Sequence, residues 1–156
     1  MKVHIVTPGK LHHPAAIAWA QDLTGRIARV LPLLRAGVRE AKRHKGGVDL
    51  PARRLEADAM LAAVPAGAHL VALDAGGQRL DSDAFYEWFK GLAETGCKDL
   101  VFAIGGPDGH DPVLLQQART KLSLSPMTLP HELAEVVLVE QVYRAVARWK
   151  NLPYHR

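Results

Sequence analysis

Apolar residues in this chain form two kinds of segment, short continuous runs and longer stretches with helical spacing. The short runs have the length and apolar content of strands and lie at 2–6, 33–38, 68–73, 100–104 and 121–125. Helical spacing recurs at 14–31, 51–64, 81–96, from 111 and at 130–149. Strands that alternate with helices predict an α/β fold with a mostly parallel sheet. Since no linker, repeat or low-complexity segment interrupts this pattern, we expect a single domain over residues 1–156.

Local signals predict how several elements begin and which faces they bury. Asp81 and Asp111 have the position of helix N-caps, and Pro112 would occupy the first helical residue after the second cap. The sequence Asp-Ala-Gly-Gly at 74–77 predicts a turn after the third strand. In the helix at 51–64, the predicted buried side consists of Leu55, Ala59, Met60 and Ala63.

The closing helix at 130–149 has apolar residues around most of its circumference. They are Leu133, Ala134, Val136, Val137, Leu138, Val139, Val142, Ala145, Val146 and Trp149. A helix that is apolar nearly all round must be covered nearly all round. We therefore expect a second copy of the chain to provide part of this cover, in a homodimer.

Composition and charge narrow the class of protein further. Hydrophobic residues make up 48% of the 156 and charged residues 23%, which is typical of a folded domain. The uninterrupted apolar runs, such as 136–139, are far too short to span a bilayer, so we expect no membrane partner. Residues 1–9 lack the features of a signal peptide, and the single cysteine, Cys97, cannot form an internal disulfide. These features favour a cytoplasmic location.

Basic residues are concentrated in two groups, although the formal net charge is only +4. The first group is Arg35, Arg39, Lys42, Arg43, Lys45, Arg53 and Arg54, and the second is Arg144, Arg148, Lys150 and Arg156. Such clusters can neutralise phosphates and bind RNA independently of sequence. They can equally be solvated faces of an ordinary domain, and charge alone does not decide between these readings.

The common catalytic and metal motifs do not occur. The glycine-rich loop at 105–109 has neither the dinucleotide-binding spacing nor a Walker A ending, so turn formation explains it equally well. A glycine loop at the carboxyl end of a parallel strand is nevertheless where open α/β sheets bind ligands. The eight histidines show no metal-ligand spacing, so we expect no metal site. Cys97 has no obvious base near it in sequence, and no serine nucleophile motif is found.

One ordered set of short motifs is far more specific. It consists of Leu73-Asp74, FAIGGPDG at 102–109, LSLSPMTLPH at 122–131, VEQVYRA at 139–145 and PYHR at 153–156. In this order and spacing, the set resembles the ribosomal RNA large subunit methyltransferase H family, a small group in the SPOUT class. The strong match runs from Leu100 to Arg156. The sequence departs from many relatives at Gln78, where a lysine is common, and matches poorly over 35–54.

The resemblance implies a fold, a reaction and a site. The fold would be a SPOUT α/β-knot with a C-terminal trefoil knot, and the protein a homodimer. The reaction would be the S-adenosyl-L-methionine (SAM)-dependent methylation of N3 of a pseudouridine in helix 69 of 23S rRNA, in 50S subunits or 70S ribosomes. The cofactor-binding residues implied here are Leu73, Gly105, Leu124, Ser125, Pro126, Met127, Thr128 and Leu129. Gly105 would leave room for the cofactor to approach the backbone.

Candidate catalytic residues come from the end of the chain. They are Arg144, Tyr154, His155 and Arg156, which could hold a phosphate, stack on a flipped-out base and exchange protons. The sequence at 151–153, Asn-Leu-Pro, is expected to end the helix and direct the tail away from it, toward a pocket shared with the partner chain. Two alternatives stay open: a SPOUT methyltransferase acting on another RNA, such as tRNA, and a noncatalytic RNA-binding homologue.

Overall fold

The computed structural model describes residues 1–43 and 47–154, which form five strands and five helices. The strands are β1 (Lys2–Pro8), β2 (Leu33–Val38), β3 (His69–Arg79), β4 (Asp99–Ile104) and β5 (Thr120–Ser123). The helices are α1 (Pro14–Ala28), α2 (Leu50–Ala62), α3 (Ser82–Glu94), α4 (Pro112–Gln117) and α5 (His131–Trp149). The predicted α/β class is confirmed.

All five strands belong to one sheet with the order β2-β1-β4-β3-β5, and every named pairing is parallel. Strand β4 is central, and its Phe102 lies opposite Ile5 of β1 on one side and Val71 of β3 on the other. Residues 100–104 are all buried, as expected of a parallel strand that helices cover on both faces. The expectation of a mostly parallel sheet is confirmed.

The sheet separates two hydrophobic cores. On one face, Ile5, Phe102 and Phe89 pack with the inner side of α5, for example with Val139. On the other face, β-strand residues pack with α2 and α4 around Met60 and Leu114. Successive residues of a strand point to opposite faces, so Phe102 enters the first core and Ala103 the second.

Aspartates begin three of the helices, because their carboxylates accept hydrogen bonds from backbone amides of the first turn. Asp81 accepts from Ala84 N at 2.8 Å before α3, and Asp111 accepts from Val113 N at 3.0 Å before α4. Both predicted caps are confirmed. Asp49 acts in the same way before α2, with a 2.9 Å bond from Ala52 N.

The predicted buried side of α2 is wrong for most of its residues. Leu55 is 64% exposed, and Ala63 lies beyond the helix and is also exposed, so only Met60 is buried as expected. The buried residues are Ala52, Glu56, Ala57 and Met60. Glu56 determines this face, because its carboxylate is buried in an ion pair with Arg43. A pattern that counts only apolar residues assigns a glutamate to the solvent side.

The turn predicted at 74–77 lies inside the bounds of β3. Leu73 and Gln78 both pair with Leu122 of β5, so the four residues between them leave the ladder and the strand then resumes. A Cβ on Gly77 would lie only 2.7 Å from the backbone nitrogen of Leu122. Glycine is therefore required for the close approach of β3 to β5, and the segment 74–77 is an extrusion from a strand instead of its end.

Most of the apolar surface of α5 is covered within the chain. Helices α1 and α3 pack on it, and nine of its residues are buried. Leu133, near its N-terminus, remains 46% exposed. The part of α5 left for a second copy to cover is therefore its first turn, around Leu133, and the expected homodimer stays a prediction. In the part of the chain that the structure describes, no helix is long and apolar enough to cross a membrane.

Candidate active site

A cavity of about 580 Å³ opens at the carboxyl edge of β3 and β4. Its walls come from Leu73 and the extruded segment that follows it in β3, the glycine loop after β4, and the loop between β5 and α5. The structure brings together here seven of the eight residues implied as cofactor-binding, namely Leu73, Gly105, Leu124, Ser125, Met127, Thr128 and Leu129. Pro126 belongs to the same loop but is exposed and does not line the cavity.

Two serines shape the loop that follows β5. The Ser123 hydroxyl donates to the carbonyl oxygen of Ser125 at 3.0 Å, and the Ser125 hydroxyl accepts from Met127 N at 2.9 Å. The Met127 side chain remains 74% exposed at the mouth of the cavity. These local hydrogen bonds constrain the backbone of the loop that lines the cavity.

The glycine loop at 105–109 is tight because its own backbone atoms lie close to one another. Gly109 has a φ of +72° and donates its N–H to the carbonyl of Gly106 at 2.9 Å. A Cβ on Gly105 would lie 3.0 Å from the carbonyl carbon of Gly109 and 3.3 Å from His110 N. The absence of a side chain at Gly105 is therefore explained by contact with the loop backbone. The expectation that a Gly105 side chain would occupy the space of the cofactor needs this correction.

His110 supports the glycine loop from beneath. Its ring is 7% exposed, and Nε2 lies 3.1 Å from the carbonyl oxygen of Ala103 in β4. Burial lowers the pKa of His110, partly opposed by the hydrogen bond to Ala103. The neutral imidazole is thereby favoured, and it holds the loop to the sheet without lining the cavity.

The sequence prediction missed several residues that line the cavity. They are Asp74, Ala75, Ile104, Gly106, Pro107, Gly109, Pro130, His131 and Ala134. Asp74 supplies the one carboxylate that lines the cavity among the described residues, and it also accepts a 2.8 Å bond from Gly76 N. A polar residue directly after a buried strand was the signal for Asp74. His131 is the first residue of α5. It belongs to the motif at 122–131, but its place in the cavity wall was not predicted from the sequence.

Arg144 and Tyr154, the two candidate catalytic residues that the structure describes, do not line this cavity in the same chain. Arg144 pairs with Glu140 on α5, with Nε 3.1 Å from Oε1, and Tyr154 packs against Tyr143. His155 and Arg156 lie outside the described residues. The expectation that 151–153 directs the tail away from the helix is wrong for Tyr154, because Leu152 N bonds back to the carbonyl of Ala147 at 2.7 Å.

Many cations of the first basic group have partners within the chain. Arg35 bonds the buried Glu135 of α5 at 2.5 Å, and Arg54 pairs with Asp58 at 3.0 Å. Arg43 and Arg53 face the carboxylates of Glu56, Asp108 and Asp111. Arg39 and Lys42 are exposed and have no carboxylate partner among the described residues, whereas Lys45 falls outside them. The basic group therefore contains two kinds of residue. Most form ion pairs within the chain, and a few can contact phosphates.

The second basic group is divided in the same way. Arg148 pairs with Asp83, and its guanidinium lies 4.1 Å from the ring centre of Tyr86. The ammonium of Lys150 lies 4.1 Å from the ring centre of Trp149. Part of this group is thus engaged with neighbouring side chains of the same chain.

An apolar groove of about 650 Å³ lies beside the cavity, between α1 and the first half of α5. Trp19 is 64% exposed there, opposite Leu133. Glu132 borders the groove and accepts backbone bonds from His12 and His13, and the bond from His13 is the main cause that lowers the pKa of its carboxyl. The groove shares Pro130 and His131 with the cavity wall, so the two depressions are adjacent.

Comparison with known proteins agrees with this geometry. The model of the family described as "Predicted SPOUT methyltransferase" matches residues 1–155. The chain belongs to the SPOUT methyltransferase family. Ribosomal RNA large subunit methyltransferase H of Dinoroseobacter shibae is 44% identical to it over 159 residues, which covers the whole chain and 99% of that relative. The protein of the same name from Gemmatimonas aurantiaca is 36% identical over 156 residues, across the full length of both.

A third relative of that name, from Acidithiobacillus ferrooxidans, is 43% identical over 143 residues and covers 89% of each chain. The resemblance seen in the motifs is therefore confirmed. It extends beyond the motifs to the full length of this SPOUT methyltransferase chain. Within the described residues, no group of three histidine, cysteine, aspartate or glutamate side chains is placed to hold a metal ion.

Proposed function

We propose that this protein transfers a methyl group from SAM to N3 of a pseudouridine in helix 69 of 23S rRNA, within assembled 50S subunits or 70S ribosomes. The observation that carries the proposal is the cavity at the carboxyl edge of β3 and β4, where seven residues implied as cofactor-binding meet. Relatives that match over their full length carry the name of a large subunit rRNA methyltransferase. A cytoplasmic location follows from such a substrate.

The residues around the cavity fit SAM chemically. A volume of about 580 Å³ is within the range of cofactor pockets. Leu73, Leu124 and Leu129 can enclose a flat, largely apolar adenine, while backbone groups of the loop read its edge. The carboxylate of Asp74 can accept hydrogen bonds from hydroxyl or ammonium groups of the same molecule. SAM would supply a methyl group on a cationic sulfonium, which is already activated for transfer.

The contribution of the chain is then mainly orientation. The glycine loop and the loop between β5 and α5 hold opposite sides of the cavity, so both can align a donor with an acceptor base. The imide N3 must also lose its proton, which requires an acceptor within hydrogen-bond reach. Arg144, Tyr154, His155 and Arg156 remain our candidates for holding the RNA and completing this proton transfer.

A homodimer would bring these residues to the cavity. The apolar groove shares Pro130 and His131 with the cavity wall, and Glu140 also lines the groove. Glu140 in turn contacts Arg144 and Tyr154. We propose that a second copy occupies the groove through a two-fold axis, so that each tail cluster faces the other chain's cavity. A single domain over 1–156 and a trefoil knot in its C-terminal part belong to the same proposal.

Purified protein, labelled SAM and four RNA substrates test this function. Methyl transfer to 50S subunits or 70S ribosomes, located at helix 69 by mass spectrometry, is the expected result, with much slower transfer to free 23S rRNA. Equal rates on free and assembled rRNA would refute the requirement for assembled particles. Methylation of tRNA alone would show a different target, and RNA binding without any transfer would show a noncatalytic homologue.

A further inference from the structure

Arg43 connects three parts of the chain through its guanidinium. It lies between β2 and α2, and its Nη2 donates to both carboxylate oxygens of Glu56 in α2, at 2.9 and 2.8 Å. Its Nη1 donates to Asp108 in the glycine loop. The Glu56 side chain is only 3% exposed and that of Asp108 is 14% exposed. This network is therefore largely removed from solvent.

The network lies directly behind the cavity wall. Gly106, Pro107 and Gly109 line the cavity, whereas Asp108 points away from it toward Arg43. A Cβ on Gly106 would lie 2.9 Å from both Arg43 Nη2 and Glu56 Oε2, so the loop backbone rests on the ion pair. The wall is thus placed between the cavity on one side and a charged contact on the other.

Stability alone is a poor explanation for this arrangement. Taking charges out of water costs several kcal/mol per ion, and an apolar substitute for a buried pair is often as stable. The Nε of Arg43 is also buried and has no hydrogen-bond partner among the described residues, which adds to the cost. A planar guanidinium, however, fixes two carboxylates in one geometry, which an apolar contact does not do.

We propose that Arg43 is a positioning residue of the cofactor site: it holds Asp108, and through it the wall formed by 105–109, at the distance that SAM requires. This inference rests on the proposed binding of SAM in the cavity. Arg43 itself does not line the cavity, so its effect on the cofactor passes through the loop.

Two variants separate positioning from stability. Arg43→Gln leaves the buried Glu56 carboxylate with the 3.1 Å bond from Ala41 N but without its cationic partner, and we expect both a lower free energy of unfolding and weaker SAM binding. Arg43→Gln combined with Glu56→Gln removes that charge, so stability should recover. In the double variant Asp108 keeps the 3.3 Å bond from Asp49 N but lacks the guanidinium that holds it, so SAM affinity should stay roughly tenfold or more below that of the unaltered protein. Urea unfolding without ligand and isothermal titration with SAM measure the two quantities.

Arg54→Gln is the matched control, because Arg54 pairs with exposed Asp58 and does not touch the glycine loop. It should change neither quantity appreciably. If the double variant recovers SAM affinity together with stability, Arg43 is only structural and the inference is wrong. Normal SAM binding by Arg43→Gln would also overturn it. Failure of the unaltered protein to bind SAM would instead refute the proposed function, and with it this inference.

Discussion

The ring of Tyr154 packs on the ring of Tyr143, with 4.4 Å between their centres and an angle of 52° between their planes. The guanidinium of Arg144 lies 5.4 Å from the centre of the Tyr154 ring, and the Tyr154 hydroxyl reaches Glu140 at 3.5 Å. Burial is the main cause that raises the pKa of Tyr154, followed by the charge of Glu140. The phenol therefore stays protonated near neutral pH and can donate to the Glu140 carboxylate.

Deletion of residues 154–156 should leave a dimer that still binds SAM but transfers methyl at least roughly a hundredfold more slowly, because positioned acid–base and orienting groups are lost. Single-turnover rates on 50S subunits measure this, and sedimentation and titration check the dimer and the cofactor. Tyr154→Phe is the control for packing, since it keeps the ring contact with Tyr143 and removes only the hydroxyl. An unchanged turnover after deletion would show that the tail has no role in transfer.

Leu133→Glu should convert the protein to a monomer or weaken the dimer at least roughly a hundredfold, because it places an unpaired charge in an apolar interface. Leu133 and Trp19 are the exposed apolar side chains of the groove. Leu55→Glu is the matched control, since Leu55 is 64% exposed on α2 and lies away from the groove. Analytical ultracentrifugation distinguishes the species. A dimer of undiminished affinity in Leu133→Glu would place the interface elsewhere.

Thr128→Trp should weaken SAM binding roughly tenfold to a hundredfold, because a bulky side chain added to a filled site costs about 1–3 kcal/mol. Thr128 lines the cavity and is exposed, so the fold should tolerate the change. Thr95→Trp is the control, at an exposed position after α3 and at the opposite edge of the sheet. Gly105→Val is less informative, since its Cβ would press on Gly109. Isothermal titration decides, and normal binding by Thr128→Trp would remove this loop from the site.

Stability should fall as pH drops below about 6.5, the ordinary imidazole value. Burial lowers the pKa of His110 in the folded protein, and burial likewise lowers that of His69. The unfolded chain then binds protons that the folded chain does not, so unfolding becomes easier with acid; above the ordinary value, these two groups contribute no slope. Urea unfolding between pH 5 and 8 measures the slope. His110→Gln, which can keep the bond to Ala103, should reduce it, and an unaltered slope would contradict this assignment.

The sequence predicted the elements well where local signals agree. Strand β2 has the predicted bounds, and Asp81 and Asp111 cap their helices as expected. Such signals are local, because a cap needs only the amides of its own first turn. The face of α2 was missed, since Glu56 is buried by a partner that lies 13 residues earlier in the chain and pairs with it only in the folded state.

The site shows the same division. Its loops could be identified because their motifs are contiguous, and seven implied residues do meet at one cavity. The place of Asp74 in the wall depends on the extrusion of 74–77 from β3, which results from pairing with β5 about 45 residues later. The position of Tyr154 depends on a ring contact with Tyr143. Neither the pairing of β3 with β5 nor the contact of Tyr154 with Tyr143 produces a periodic pattern in the sequence, so neither could be predicted from it.

Strand β4 is the centre of the sheet but the fourth strand along the chain. During synthesis, β1 can pair only with β2 until residues 99–104 have left the ribosome, and β3 has neither of its neighbours. The β1–β2 pair and β3 therefore cannot join into one sheet until β4 has been synthesised. Unpaired strand edges in such an intermediate are prone to aggregate with other chains. The arrival of β4 joins the β1–β2 pair to β3, and β5 then covers the remaining edge of β3.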